Sequence, residues 1–313
     1  MILKTYCGYI KDLNKLKASA SGGLATAMAE ETIKKGGSIY GVAYSDDFKD
    51  AEYIRVADNS GIELLKASKY IKARLNLSII DSMISDLKKN ISVLFIGLPC
   101  DVYALKKHLS KNNIDDRLLV CVDLICHGPT SPKVAKEYVE SLEKRYHSKI
   151  TNFNVRYKNP YWKPPFLYVE FENNKKHIES FYTTDYGIAF MQMSEPQCYT
   201  CKHKGDYSSD ITIGDYHGSN KDDQGYNQYG SSVAFVHTAK GDIFINQLRY
   251  FNLYTANTEK ALSGNPRYSS PTKQTAKSIA FKNNFDRKGL KYAVAKHIGV
   301  KQQIRKAIKN LIK

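Results

Sequence analysis

The chain has 313 residues, of which 42% are hydrophobic and 12% aromatic, a composition that excludes wholesale disorder. Basic residues exceed acidic ones and give a formal net charge of +16 at pH 7. No apolar run approaches the roughly 20 residues of a transmembrane helix, and the amino-terminal residues lack the pattern of a signal peptide. We therefore expect a cytoplasmic protein, in which the six cysteines are metal ligands or redox groups rather than disulfides.

Residues 1–150 alternate between predicted strands and helices. An alanine-rich helix begins after Ser21-Gly22-Gly23 and is expected to end at Gly36-Gly37, because glycine commonly follows the last helical turn. Ser131 and Pro132 are typical of a helix start, which predicts a charged amphipathic helix over 132–146. The other predicted elements of this half are strands over 38–44, 53–57, 93–96 and 117–125, a mostly helical or looped stretch over 64–89, and a helix over 101–109.

Residues 151–240 are richer in strands, with apolar side chains at every second position in several segments. The pattern predicts strands over 151–157, 167–172, 177–182, 211–216 and 231–238, and helices over 184–193 and 241–251. The predicted fold class is therefore α/β to α+β, a mixed sheet flanked by helices.

The last 41 residues form a basic tail. Residues 273–313 carry +11 of the net charge, and their apolar residues recur at helical spacing. We therefore divide the chain into a main domain, 1–272, and a basic amphipathic helical tail, 273–313. Docking on the main domain is the simplest interpretation; a peripheral contact with an anionic membrane at the inner membrane face, or with an acidic partner protein, is the alternative. Nucleic acid is not expected, because no recognition motif accompanies the charge. The apolar positions are Val300, Ile304, Ala307, Ile308, Leu311 and Ile312.

Four cysteines are candidate metal ligands. Cys198 and Cys201 form a Cys-x2-Cys pair, a spacing that lets two thiolates reach one metal. Cys100 and Cys126 each follow a predicted buried strand, and neighbouring parallel strands would place both thiols at one edge of the sheet. Basic neighbours of the pair, Lys202-His203-Lys204, are expected to lower thiol pKa values.

Four thiols at one site indicate zinc or an iron–sulfur cluster, and the spacing alone does not distinguish them. A redox disulfide would leave the two cysteines at strand ends unexplained. Cys121 lies within a predicted strand and is interpreted as a core residue, and Cys7 has no partner at a useful spacing.

Six short motifs, in order and at matching separations over roughly residues 5–240, resemble the coenzyme F-420 hydrogenase/dehydrogenase beta-subunit family. They are Ser19-Ala20-Ser21-Gly22-Gly23, Ala67-Ser68-Lys69-Tyr70, Gly97-Leu98-Pro99-Cys100, Asp123-Leu124-Ile125-Cys126-His127-Gly128, Cys198-Tyr199-Thr200-Cys201, and the segment from Ser209 to Gly218 that contains Asp215.

The resemblance implies FAD and one 4Fe-4S cluster, with Cys100, Cys126, Cys198 and Cys201 as the cluster ligands. It also implies a cofactor-binding set of Ser19, Ser21, Gly22, Gly23, Lys69, Tyr70 and Asp215. Many bacterial relatives carry an additional ferredoxin-like module, which this sequence does not show before Cys100. We therefore expect a separate ferredoxin-like protein as electron carrier.

The flavin site also has a physical basis. The helix that follows Ser21-Gly22-Gly23 begins with free N–H groups that could bind phosphate, although a glycine pair there is also an ordinary turn and cap. Lys69 could pair with a diphosphate or lie on the surface; Tyr70 could stack on a ring or pack; Asp215 could face the cofactor or end a strand.

The sequence thus predicts a flavin- and 4Fe-4S-dependent oxidoreductase, and the resemblance suggests a small-molecule or glycan-related substrate in polysaccharide biosynthesis. The lysine-, asparagine- and isoleucine-rich composition suggests an AT-rich bacterial genome, so we do not expect the deazaflavin coenzyme as substrate. The alternative is a zinc-stabilised docking protein without redox activity.

Overall fold

The computed structural model describes residues 1–205 and 207–299, which contain eleven strands and ten α-helices. The strands are β1 (Lys4–Ile10), β2 (Ser38–Tyr44), β3 (Ala51–Val56), β4 (Val93–Gly97), β5 (Leu119–Leu124), β6 (Ile150–Tyr157), β7 (Phe166–Phe171), β8 (Lys176–Ser180), β9 (Ile211–Asp215), β10 (Ser232–Val236) and β11 (Phe251–Thr255). The helices are α1 (Leu13–Ala18), α2 (Leu24–Lys34), α3 (Ile62–Leu65), α4 (Leu77–Lys88), α5 (Pro99–Lys111), α6 (Pro132–Tyr146), α7 (Asp185–Gln192), α8 (Ala239–Asn246), α9 (Thr258–Ser263) and α10 (Ala276–His297).

An eight-stranded mixed sheet forms the centre, in the order β11-β1-β10-β9-β5-β4-β2-β3. Strands β2, β4, β5 and β9 are parallel, and the strands on either side of them pair antiparallel. The mixed fold predicted from the sequence is therefore confirmed. The carboxyl ends of the four parallel strands meet at one edge of the sheet, the usual place for a ligand in such folds; we call it the carboxyl edge.

A second sheet of three antiparallel strands, in the order β6-β7-β8, comes from the strand-rich middle of the chain. Its buried side chains share one apolar core with α6, α7 and the inner face of the parallel strands. Because this sheet packs close to the larger one, residues of β6 can reach the carboxyl edge.

Two strands of the large sheet were absent from the sequence prediction. β1 lies between β10 and β11, and β11 begins at Phe251, where the sequence predicted the end of a helix. Tyr6 and Cys7 are both buried although they are adjacent, so β1 has no period-2 pattern. Only pairing with strands more than 200 residues away reveals it.

The described part of the basic tail packs on the body. Phe281, Phe285 and Leu290 of α10 are buried in the same core as α6 and α7, while Lys288 and Lys291 are exposed. The helix bends at Gly289, which has a positive φ of 80°. The apolar positions from Val300 onward lie outside the described residues. Within the described ranges, no helix is both long and apolar enough to cross a bilayer.

Candidate functional site

The carboxyl edge brings the four predicted ligand cysteines together. Cys100 lies in the first turn of α5, directly after β4, and Cys126 follows β5, the parallel neighbour of β4. Cys198 and Cys201 lie in and just after a short 3-10 helix, Pro196–Thr200. Each of the four thiols is within electrostatic range of the other three.

Backbone contacts fix the two cysteine loops against each other. The N–H of Glu195 donates to the carbonyl of Pro129 at 3.0 Å, and the hydroxyl of Ser194 donates to the carbonyl of Gly128 at 3.3 Å. A Cβ at Gly128 would lie 3.1 Å from Cβ of Cys198, so the loops touch at this glycine. Their contact holds Cys126 beside the Cys-x2-Cys pair.

Burial dominates the thiol pKa values. It raises the pKa of Cys100 to about 11 and that of Cys198 to about 12, and the neighbouring thiols add to both shifts. Lys204 lowers the pKa of Cys126, but burial still leaves that pKa above its usual value. The expectation that basic neighbours lower the thiol pKa values of the Cys-x2-Cys pair is therefore wrong for Cys198, because desolvation raises its pKa.

The four thiols do not form a tight set around one point. No three His, Cys, Asp or Glu side chains in residues 1–205 and 207–299 converge closely enough to hold a single metal ion. The remaining two cysteines are elsewhere: Cys121 is buried in β5, and Cys7 is in β1, close to Gly225.

Beside the cysteines lies a cluster of buried polar side chains centred on Arg156, at the end of β6; we call this cluster the polar pocket. One terminal nitrogen of its guanidinium donates to Oδ2 of Asp215 at 2.7 Å and to the carbonyl of Ala20 at 2.8 Å. The other donates to the hydroxyl of Tyr70 at 3.0 Å. Burial alone would raise the pKa of Asp215, but Arg156 and His217 hold it below its usual range. Three segments that carry predicted site residues therefore meet at one arginine.

Lys158 ties the start of α2 into this pocket. Its ammonium donates to the carbonyls of Leu16 and Ser21, at 2.5 and 2.8 Å, and is buried. Burial and the positive charge of Arg156 lower the pKa of Lys158 to about 7. The hydroxyl of Ser21 donates to the carbonyl of Ser231 at 2.7 Å.

Close packing of neighbouring backbone atoms leaves room only for glycine at position 22. A Cβ there would lie 2.4 Å from the carbonyl oxygen of Gly8 and from the N–H nitrogen of Ser232, between β1 and β10. Gly23 precedes α2 with a positive φ of 81°. Close backbone packing thus accounts for Gly22, and the glycine pair needs no ligand to explain it.

The other predicted cofactor residues differ in their surroundings. Ser19 is buried and its hydroxyl donates to the carbonyl of Lys15. The ammonium of Lys69 donates to the carbonyls of Leu64 and Lys66, at 2.9 and 2.6 Å. The ring of Tyr70 stacks on Phe190 with centroids 4.2 Å apart, so Tyr70 both packs and offers its hydroxyl to Arg156.

Two buried donors in the pocket lack partners. Among the described residues, neither Nε of Arg156 nor Nε1 of Trp162 has a hydrogen-bond acceptor. The ring of Trp162 stacks on His217, and Lys163 lies 4.3 Å from its centroid. Because buried N–H groups are normally satisfied, these two donors are available to a bound group with acceptor atoms or to water. Cations and the positive end of α2 favour an anionic group.

The cysteine site and the pocket are adjacent. The segment Tyr70-Ile71-Lys72 pairs with Thr130, which places Tyr70 at Arg156 and the ammonium of Lys72 3.7 Å from Sγ of Cys100. His127, next to Cys126, is within electrostatic range of Asp215 and His217. A group in the pocket would therefore lie near the four thiols.

Sequence reasoning missed Arg156, Lys158 and Trp162. One signal was present: Arg156 and Lys158 are two positions apart at the end of a predicted strand, so their side chains share a face. Nothing local indicated that this face meets α2 and β9.

Comparison with known proteins identifies the fold and the family. Residues 91–260, more than half of the chain, match the family described as the C terminus of the coenzyme F420 hydrogenase/dehydrogenase beta subunit. The chain belongs to this family. The matched region includes the four cysteines, Arg156 and Asp215. The family resemblance read from the sequence is thereby confirmed, and oxidoreductase activity is the function that the family suggests.

A solved structure supports the same fold. A chain of the F420-reducing [NiFe] hydrogenase complex from Methanosarcina barkeri superposes with a TM-score of 0.58 and 16% identity, covering 93% of this family member and 96% of that chain. At this identity the likeness concerns the fold alone. No curated protein sequence matches the chain.

Proposed function

We propose that the chain is an oxidoreductase that binds FAD and one 4Fe-4S cluster and exchanges electrons with a ferredoxin-like protein carrier. The observation that carries this proposal is the meeting of four thiols beside a cation-lined pocket on one edge of the sheet. The substrate we propose is a small molecule or glycan-related compound of polysaccharide biosynthesis, on the family resemblance only.

Cys100, Cys126, Cys198 and Cys201 would hold the cluster, and the pocket of Arg156, Lys158 and Trp162 would hold FAD. When bound, FAD supplies two-electron hydride transfer and the cluster supplies one-electron transfer, so each substrate turnover exchanges two electrons with a one-electron carrier. The donor set fits both groups: soft thiols suit iron, and buried N–H donors beside a helix amino terminus suit an anionic, acceptor-rich molecule.

The chain's own residues orient and shield these groups. Arg156 fixes the loop before α2 through the carbonyl of Ala20, and it fixes Asp215 through an ion pair. Lys158 holds the same loop through the carbonyls of Leu16 and Ser21. The pocket is thus organised before any ligand binds, which lowers the entropic cost of binding.

The second candidate, a zinc-stabilised docking protein, has less support. A structural zinc site requires four ligands about 2.0–2.3 Å from one ion. Three such side chains do not converge anywhere in residues 1–205 and 207–299. Four thiols match the ligand number of either group, and it is the family that favours the cluster.

Anaerobic purification followed by an optical spectrum and assays of iron and flavin tests the proposal. We expect a brown-yellow protein with about four irons and one FAD per chain. Cys198→Ala is expected to lose iron, while Cys7→Ala, which removes a buried thiol outside the set of four, is expected to keep it. A colourless wild-type protein that contains zinc would contradict the proposal.

A conservative change tests the flavin pocket. Trp162→Phe removes the unpartnered N–H of Trp162 and keeps an aromatic ring against His217. We expect it to lower flavin retention with normal iron content, whereas Tyr161→Phe, on the exposed neighbouring residue, should change neither. Unchanged flavin content in Trp162→Phe would argue against this pocket.

The electron donor can be tested directly. Reduced ferredoxin is expected to reduce the bound flavin faster than NADH does, because the sequence has no Gly-x-Gly-x-x-Gly motif after a strand for a nicotinamide cofactor. Rapid, saturable reduction by NADH alone would contradict this part of the proposal.

A further inference from the structure

An exposed tyrosine marks the surface outside the cysteines. Tyr103 lies one helical turn after Cys100 on α5, about 4.5 Å further along the axis. Its side chain is 44% exposed. The ring packs against His203, with centroids 4.8 Å apart, and His203 follows Cys201 by two residues. The Tyr103–His203 contact therefore joins two of the segments that carry the four thiols.

Each of the two chain segments that meet at this tyrosine carries an exposed lysine. The ammonium of Lys107 lies 5.9 Å from the centroid of the Tyr103 ring, and Lys202, between Cys201 and His203, is exposed. We call Tyr103, Lys107, Lys202 and His203 the Tyr103 patch.

Behind the patch, further cations offset the nearby acid. Lys72 forms an ion pair of 2.5 Å with Asp101, the acidic residue next to Cys100, and the ammonium of Lys204 donates to the carbonyl of Cys126. The side chain of Asp101 is only 10% exposed, so it adds little negative charge to the surface. Glu195 is a further acid within electrostatic range of Cys198, but it is only partly exposed, whereas Lys107 and Lys202 are exposed beside the Tyr103 ring and His203.

We infer that the Tyr103 patch is the docking surface for an acidic electron-carrier protein. This inference rests on the proposed function and adds the site at which the carrier binds. Charge complementarity selects this partner, because lysines around the contact attract an acidic surface and speed its encounter. Tyrosine is also enriched at the energetic centres of protein interfaces. Docking here would bring the carrier next to Cys100 and Cys201. One electron would pass from the reduced carrier to the cluster, with no bond formed or broken.

The test measures reduction of the anaerobically purified, cofactor-loaded chain by a reduced acidic bacterial ferredoxin in a stopped-flow instrument. For Lys107→Glu/Lys202→Glu, we expect the second-order rate constant to fall about tenfold or more at roughly 50 mM salt, and to approach the wild-type value at roughly 500 mM. Tyr103→Ala is expected to lower the rate at both salt concentrations, because its contribution is apolar packing.

A matched control separates local charge from net charge. Lys88 and Lys111 are exposed at the carboxyl ends of α4 and α5, at the opposite edge of the sheet from Cys100. Lys88→Glu/Lys111→Glu makes the same change in net charge and is expected to alter the rate less than about twofold at that low salt concentration. Equal losses in the two double variants would overturn the inference.

Two further outcomes separate this inference from the proposed function. If the ferredoxin reduces Lys107→Glu/Lys202→Glu as fast as wild type at low salt, the docking surface is wrong and the proposed function stands. If dithionite reduces the cofactor-loaded wild-type chain but ferredoxin does not, the electron carrier named in the proposed function is wrong. The inferred docking surface is then also refuted. Anionic phospholipid vesicles that sediment with the wild-type chain but not with Lys107→Glu/Lys202→Glu would identify the patch as a membrane surface and overturn the inference.

Discussion

Replacing Arg156 by methionine tests whether the pocket is organised around a buried ion pair. The substitution keeps most of the apolar stem and leaves the carboxylate of Asp215 without its cation, in surroundings where the two side chains are only 12% and 17% exposed. Removing one partner of a buried ion pair typically costs about 3–5 kcal/mol. The variant also leaves the hydroxyl of Tyr70 and the carbonyl of Ala20 without this donor. We therefore expect Arg156→Met to destabilise the fold by about 3–5 kcal/mol at pH 7.

A double variant isolates the charge. Arg156→Met/Asp215→Asn removes both charges of this ion pair, so it should be at least about 1 kcal/mol more stable than Arg156→Met alone. The pH dependence has a defined sign. Without Arg156, burial raises the folded-state pKa of Asp215 above its unfolded value, so the destabilisation of Arg156→Met should shrink as the pH falls from 7 to 5.

Urea unfolding monitored by tryptophan fluorescence is the assay, because Trp162 is the one tryptophan and lies in this pocket. Arg117→Met is the matched control: its ion pair with Asp115 has the same 2.7 Å distance, but the side chains are 87% and 59% exposed. We expect the control to cost less than about 1 kcal/mol. Arg156→Met within about 1 kcal/mol of wild type, or no relief from Asp215→Asn, would refute the reasoning.

Three further predictions concern stability and the tail. Asp123 is fully buried, and burial raises its pKa to about 7 although Thr212 and Ser209 act in the opposite direction. Because the folded protein then binds this proton more tightly than the unfolded chain, wild-type stability should fall between pH 5 and 8. Asp123→Asn should gain about 2–3 kcal/mol relative to wild type over that range in urea titrations, and parallel pH profiles would contradict this. Gly22→Ala should lower the free energy of unfolding by about 1–3 kcal/mol or more, because the added Cβ clashes with the backbone. Gly41→Ala is the control and should be nearly neutral, since its added Cβ would meet the Leu65 side chain at 3.3 Å. Equal melting temperatures for the two variants would contradict the packing argument. Deletion of residues 298–313 should leave the iron and flavin content unchanged. Any binding of the full chain to anionic vesicles at low salt should be lost with this segment. If the full chain does not sediment with such vesicles, membrane contact is ruled out.

Local signals in the sequence determined many elements. Strand β2 has the predicted bounds, 38–44, and α6 has the predicted bounds, 132–146. Proline at the first position of α6 and glycine after α2 determine helix ends through local backbone geometry. Their effects can therefore be predicted without the tertiary structure. The meeting of Cys100 and Cys126 also followed from the sequence, because each follows a buried strand and neighbouring parallel strands end at one edge.

Only the tertiary structure decided the polar pocket. Arg156 reaches Ala20 across 136 residues and Asp215 across 59, and these contacts depend on how the small sheet packs against the large one. The same packing gives structural roles to residues that the motifs predicted to bind a cofactor. Gly22 is required by the backbones of β1 and β10, and Lys69 satisfies carbonyls of its own loop. Sequence determined which residues could do chemistry at this edge of the sheet; burial, which sets the thiol pKa values and the partners of each charge, depends on atoms brought together from distant segments.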